Sequence, residues 1–200
     1  MRDHIVNILK FLFAILLVPV TVIATYQFNL ALCSLPKDLQ HWFWIGLSAY
    51  LIIHLFIFEP QGVYQFGQKL MEDFFHFSEG AAIVLSRVVP IYTMLSLAFL
   101  FSTRFFPSLE RYVIYGMFFC SFTLSLHLIF TAKHLGENEE SFVRPQYFLS
   151  SQLIYLLNLG LIVLVFSLVF DKFSGLDFFH AFTKQTKEFY VAVYRQLFIP

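Results

Sequence analysis

Apolar residues gather into five long stretches, at roughly 9–32, 42–58, 88–106, 112–132 and 147–170, and polar residues are largely confined to the connections. A helix that crosses a bilayer needs about 20 mostly apolar residues and pairs all its backbone groups internally, so each stretch predicts a span. Pro19 and Pro90 fall inside two of them, where a kink is tolerated if neighbouring helices take up the freed carbonyl groups. Two further segments have helical period with one polar face. In GVYQFGQKLMEDFFHF, residues 62–77, Val63, Phe66, Leu70, Phe74 and Phe77 recur at steps of three and four. After the last span, Phe178, Phe182, Phe189, Val193 and Leu197 recur similarly, with Lys184, Lys187 and Arg195 elsewhere around the wheel. That tail fits a helix lying in the membrane interface, or one docked on the protein's own helices. The expected architecture is an all-α polytopic membrane helix bundle. It has five clear spans, one amphipathic inserted or re-entrant helix at 62–79 and a C-terminal interfacial helix. Residues 1–173 form the transmembrane domain and 174–200 an amphipathic segment.

Composition agrees. Of 200 residues 58% are apolar and 13% charged, with a mean hydropathy of +0.72, against about 25% charged in soluble domains. The N-terminus begins like a signal peptide, but its apolar stretch exceeds the roughly 7 to 15 residues of a leader's core, so it reads as a retained helix. Thirteen basic and thirteen acidic residues without a basic tract exclude the electrostatic footprint of a nucleic-acid binder. Cys33 and Cys120 are too few for a disulfide framework.

Charge placement bears on topology. If 62–79 stays out of the bilayer, five crossings leave six basic residues on the N-terminal side and seven on the other, which gives no orientation. If it crosses, the bias becomes eight to four, with Lys69 inside the helix. The sequence therefore favours six inserted segments in a bacterial cytoplasmic (inner) membrane, with both termini cytoplasmic. A lysine or aspartate at mid-membrane costs about 2.5 to 3.5 kcal/mol on insertion scales. This reading thus requires Lys69, Glu72, Asp73 and His76 to form a buried, mutually satisfied polar cluster.

Tyr64, Phe66, Gly67 and Leu70, on the helix that carries this cluster, resemble the Y-x-F-G-H-E-L-T-H segment of site-2-protease-like bacterial membrane metallopeptidases. SRVVPIYTMLSL (86–97), FTLSLHLIFTAKHL (122–135) and FLSSQLIYLLNLG (148–160) are similar to that family's other helices. In the family a His-Glu-x-x-His helix holds zinc through two histidines and uses the glutamate as general base. Here Gln68 stands for the first histidine, Lys69 for the glutamate and Glu72 for the second histidine. An amide is a poor zinc ligand and an ammonium repels the cation. The resemblance implies a related fold without hydrolytic chemistry: a pseudoenzyme acting as a binding or scaffolding membrane subunit, whose partners are the lipid bilayer and another membrane protein. From a different class comes a membrane enzyme holding a metal or haem through His54, His76 or His127. Glu72 or Asp73 with His76 would share one helical face for a metal, and His54 and His127 could act as axial haem ligands on different helices.

Overall fold

The computed structural model describes residues 2–75, 87–137 and 145–198. Among these there is no strand, and the fold is all-α. The helices are α1 (Arg2–Leu32), α2 (Lys37–Phe56), α3 (Gln61–Phe74), α4 (Ile91–Thr103), α5 (Val113–Glu137), α6 (Pro145–Val169) and α7 (Gly175–Phe198), with a 3-10 helix at Pro107–Tyr112 leading into α5. Prolines set several starts: Pro36, Pro60 and Pro90 precede α2, α3 and α4, and Pro107 opens the 3-10 turn. Proline lacks the N–H that a first turn leaves unpaired, so it fits there at little cost.

Among the described residues four helical segments are long and apolar enough to cross a membrane: Ile5–Leu32, Lys37–Phe56, Pro107–Glu137 and Pro145–Val169. The chain is a helical membrane protein. The third expected span is shorter than its apolar stretch. α4 has 13 residues, a rise of about 20 Å against a hydrocarbon thickness of about 30 Å. It ends where Thr103–Phe106 turn towards Pro107.

The chain forms two compact units, Met1–Ser34 with Glu139–Pro200, and Leu35–Asn138. In the first, α1 and α6 run parallel. Lys10 Nζ donates to Gln146 Oε1 (3.1 Å) near one end, and Gln152 Nε2 donates to the Ala14 carbonyl (3.1 Å). Thr25 gives its proton to the Thr21 carbonyl and so accepts from Tyr155 Oη at 2.7 Å. Phe28 packs on Phe166 and Phe173, and Ser34 Oγ donates to the Lys172 carbonyl (2.8 Å) at the far end. α7 then folds back along α1. Phe178 and Ala181 lie beside Gln27 and Ala31, while the Tyr190 hydroxyl donates to the Leu16 carbonyl. Of the two expectations for this tail, docking on the protein's own helix is the one observed.

In the second unit α2 and α5 run parallel: Trp42 meets Tyr115 and Phe118, Tyr50 meets Phe122, and His54 meets Phe130. Gly46 makes the approach possible, since a Cβ there would stand 2.2 Å from the Phe118 carbonyl oxygen. α4 is antiparallel to α5, with Thr93 against Thr123 (3.2 Å) and Leu100 over Gly116.

α2 therefore runs antiparallel to α4 within this unit. α3, with 14 residues, and α4, with 13, are both shorter than the about 20 residues of a full span.

Candidate functional site

α3 rests on the start of α4 and the end of α5, and its three stripes face three surroundings. Tyr64, Gly67 and Met71 are buried and Gln68 is half-buried, at helical spacing on the side that meets the protein. Val63, Phe66, Leu70 and Phe74 are exposed. Lys69, Glu72 and Asp73 are exposed on a further stripe. Among the described residues these three charges do not pack beneath α3: one exposed stripe is apolar, another is charged, and a third packs on the unit. His76 lies outside the described residues.

Gly67 lets α3 close down on α4, since a Cβ at this position would come within 2.7 Å of the Tyr92 ring. The Tyr92 hydroxyl donates to the Val63 carbonyl at 2.8 Å. Beneath lies a chain of neutral hydrogen bonds. Gln68 Nε2 donates to Tyr64 Oη (2.9 Å), so the Tyr64 proton is directed to Thr131 Oγ1 (2.9 Å) on α5. The Tyr64 ring stacks on Phe130 and tilts against His127.

Tyr64 and Gln68 border two spaces. The inner one is about 10 Å³ and is bordered by Pro90, Ile91, Thr123 and His127, at the lower limit for a single water. The outer one is about 70 Å³, bordered by Gln61, Gln65, Lys133, His134 and Glu137. His127 is 6% exposed; its ring hydrogen-bonds to the backbone of Arg87 and Val88, and its Nε2 has no partner. On α2, the Tyr50 hydroxyl and His54 Nδ1 are likewise buried and unpartnered, with the two rings stacked at 5.8 Å. At the rim Lys133 Nζ reaches Glu59 Oε2 at 2.5 Å. This hydrogen bond holds the Glu59 carboxyl below its ordinary pKa.

The residues at the resembled motif positions have separate surroundings. The Gln68 amide is engaged with Tyr64, and Lys69 and Glu72 are turned out of the pocket. Among the described residues no three His, Cys, Asp or Glu side chains converge as metal ligands. His54 and His127 belong to the same unit but have the Phe130 and Tyr64 rings between them. Asp73 stands with the exposed charges, away from His127. The hydroxyls of Tyr92 and Thr123, which border the inner space, and of Thr131, which holds Tyr64, were not singled out by the sequence. Their one signal was position: Thr123, His127 and Thr131 recur every four residues on α5.

Comparison with known proteins finds no match: no family model, no curated protein and no solved structure.

Proposed function

We propose that this chain is a non-catalytic binding or scaffolding subunit of the bacterial cytoplasmic membrane. In this reading it is a degenerate relative of the intramembrane metallopeptidases, with α3 in place of their catalytic helix. One observation supports it above the others. At the position of the first zinc-binding histidine, Gln68 closes a neutral chain with Tyr64 and Thr131, so the inward face of α3 is spent on holding the helix in place. The outward face offers Lys69, Glu72 and Asp73 beside exposed Phe66 and Phe74. Charges at a membrane surface flanked by lipid-facing aromatics suit contact with another membrane protein.

The test combines metal analysis with partner isolation. Purified protein is expected to carry no stoichiometric zinc, and exchanging the charges through Lys69→Glu with Asp73→Lys should strip co-isolated membrane protein while the helical content is retained. Stoichiometric zinc, together with cleavage of a membrane peptide that Glu72→Ala abolishes, would overturn it.

The buried unpartnered nitrogens of His54 and His127 favour one competing reading, a metal or haem enzyme. A Soret band in the purified protein, lost in His127→Ala, is its signature.

A further inference from the structure

An open apolar groove of about 580 Å³ runs along α4 and α5, one to two turns along these helices from Tyr92 and Thr123 of the α3 pocket. Leu95, Ser96 and Phe99 line it from α4, Tyr112 from the 3-10 turn, and Gly116 and Phe119 from α5. Its floor exists because residue 116 has no side chain. A Cβ there would fall 2.5 Å from Leu100 Cδ2, so glycine lets Leu100 and the two helices close together beneath the channel. Leu95 and Phe119 are more than half exposed on its walls. Within a bilayer such a channel is filled, because a void forfeits the dispersion contacts of everything lining it.

Two observations identify the occupant. First, the groove ends where α4 stops short of the bilayer thickness, at the turn carrying exposed Phe105 and Phe106, the kind of mismatch that local lipid must absorb. Second, that end is basic. Arg111 places its guanidinium carbon 4.7 Å from the centroid of Tyr112, a groove-lining ring, and Arg104 caps α4 close by in sequence, with Glu110 the only acidic residue of 104–112. Guanidinium groups recognise phosphate through paired N–H donors.

We propose that this groove binds one phospholipid specifically, with an acyl chain along Leu95, Phe99 and Phe119 and the lipid phosphate at Arg111. The ligand class is an anionic glycerophospholipid. Scattered apolar exposure such as that of α1 offers lipid contact without a basic group set at the end of a channel. The proposal does not depend on the metallopeptidase reading.

The test reconstitutes the full chain into phosphatidylcholine vesicles containing phosphatidylglycerol with a photoactivatable acyl chain. Peptide mapping locates the label, and native mass spectrometry counts the lipid retained. Label concentrated on 95–99 and 116–119 is expected, with phosphatidylglycerol retained in preference to phosphatidylcholine. Arg111→Gln should cut that preference about fivefold, the usual weight of one basic group near an anionic surface. Ser96→Phe should remove the label altogether. Label spread evenly over α1 and the groove would overturn the proposal, as would a preference unchanged in Arg111→Gln. A disulfide-linked dimer through Leu95→Cys in a Cys33→Ser background would put a second copy of the chain in the groove and overturn it too. Should Ser96→Phe fail to fold, the label map on the unaltered chain and the surface variant Arg111→Gln decide the question alone.

Discussion

Replacing Gly46 by alanine is the sharpest perturbation this fold offers. The new methyl carbon would stand 2.2 Å from the Phe118 carbonyl oxygen and 2.3 Å from Ser121 Oγ. The Ser121 hydroxyl, which donates back to the Phe118 and Met117 carbonyls, can rotate away. The carbonyl cannot, being part of the α5 ladder. Real Cβ atoms essentially never come closer than 3.0 Å to such an atom, so α2 and α5 must part by about 0.8 Å at this level. That separation loosens the fully buried Tyr50 and Met117 and the half-buried Phe122 around it. Overpacking of this kind costs about 1 to 3 kcal/mol. Alanine's better helix propensity returns at most about 1 kcal/mol, so steric conflict wins. Gly160 is the matched control. It also sits inside a long helix, but a Cβ there meets nothing within 4 Å, and Gly160→Ala should be neutral or mildly stabilising. Reversible unfolding of both variants in mixed detergent micelles compares them directly. Equal stability of the two would refute the close approach of α2 and α5, and with it their parallel pairing.

Other expectations follow from the pocket and its rim. Tyr64→Phe leaves Gln68 Nε2 and Thr131 Oγ1 without their shared partner and should destabilise by about 1 to 3 kcal/mol in the same unfolding assay. Lys69→Ala, on the exposed stripe, should shift stability by no more than about 0.5 kcal/mol, as little as Lys184→Ala. A much larger loss would favour the buried cluster that the six-segment reading requires. The Glu59 pKa is lowered by its bond to Lys133, so whatever the pair contributes is fully present above the unfolded carboxylate value of about 4.3 and fades as pH falls through the lower folded value. Glu59→Gln should therefore flatten the acid limb of a stability-pH profile and leave neutral pH little changed. An identical acid limb in the variant would remove that pair from the account.

The spans were legible because a bilayer imposes one length and one chemistry on whatever crosses it, and the ends of α2, α5 and α6 fall within a few residues of where the apolar runs stop. The shortening of α4 was less visible. Phe105 and Phe106 continue the apolar run, yet Pro107 lies directly beyond and the backbone turns before reaching it. The packed face of α3 was less visible for a more general reason. Period identifies the stripes of a helix but not the surroundings that each one meets. Here Phe66 and Phe74 are exposed, leaving Tyr64, Gly67 and Gln68, a mixed and inconspicuous set, to meet the protein. The hydrogen bonds among Tyr64, Gln68 and Thr131 join residues more than 60 positions apart, and no local pattern announces such a meeting.

The two-unit division also has a consequence for biogenesis. α1 belongs with α6 and α7, yet more than 100 residues separate the end of α1 from the start of α6. During synthesis α1 must enter the membrane and wait while α2 to α5 are made and gather into their own unit. Its largely apolar surface makes the delay tolerable, since lipid can solvate the face that Phe166 and Tyr155 later cover. Thr21, Thr25 and Gln27 are among the polar groups left waiting, and the two threonines can bridge to carbonyl groups one turn back, as Thr21 does to Leu17 and Thr25 to Thr21. α1 is thus made well before its neighbours, and a ribosome stalled before α6 would leave one finished unit tethered to an orphan anchor.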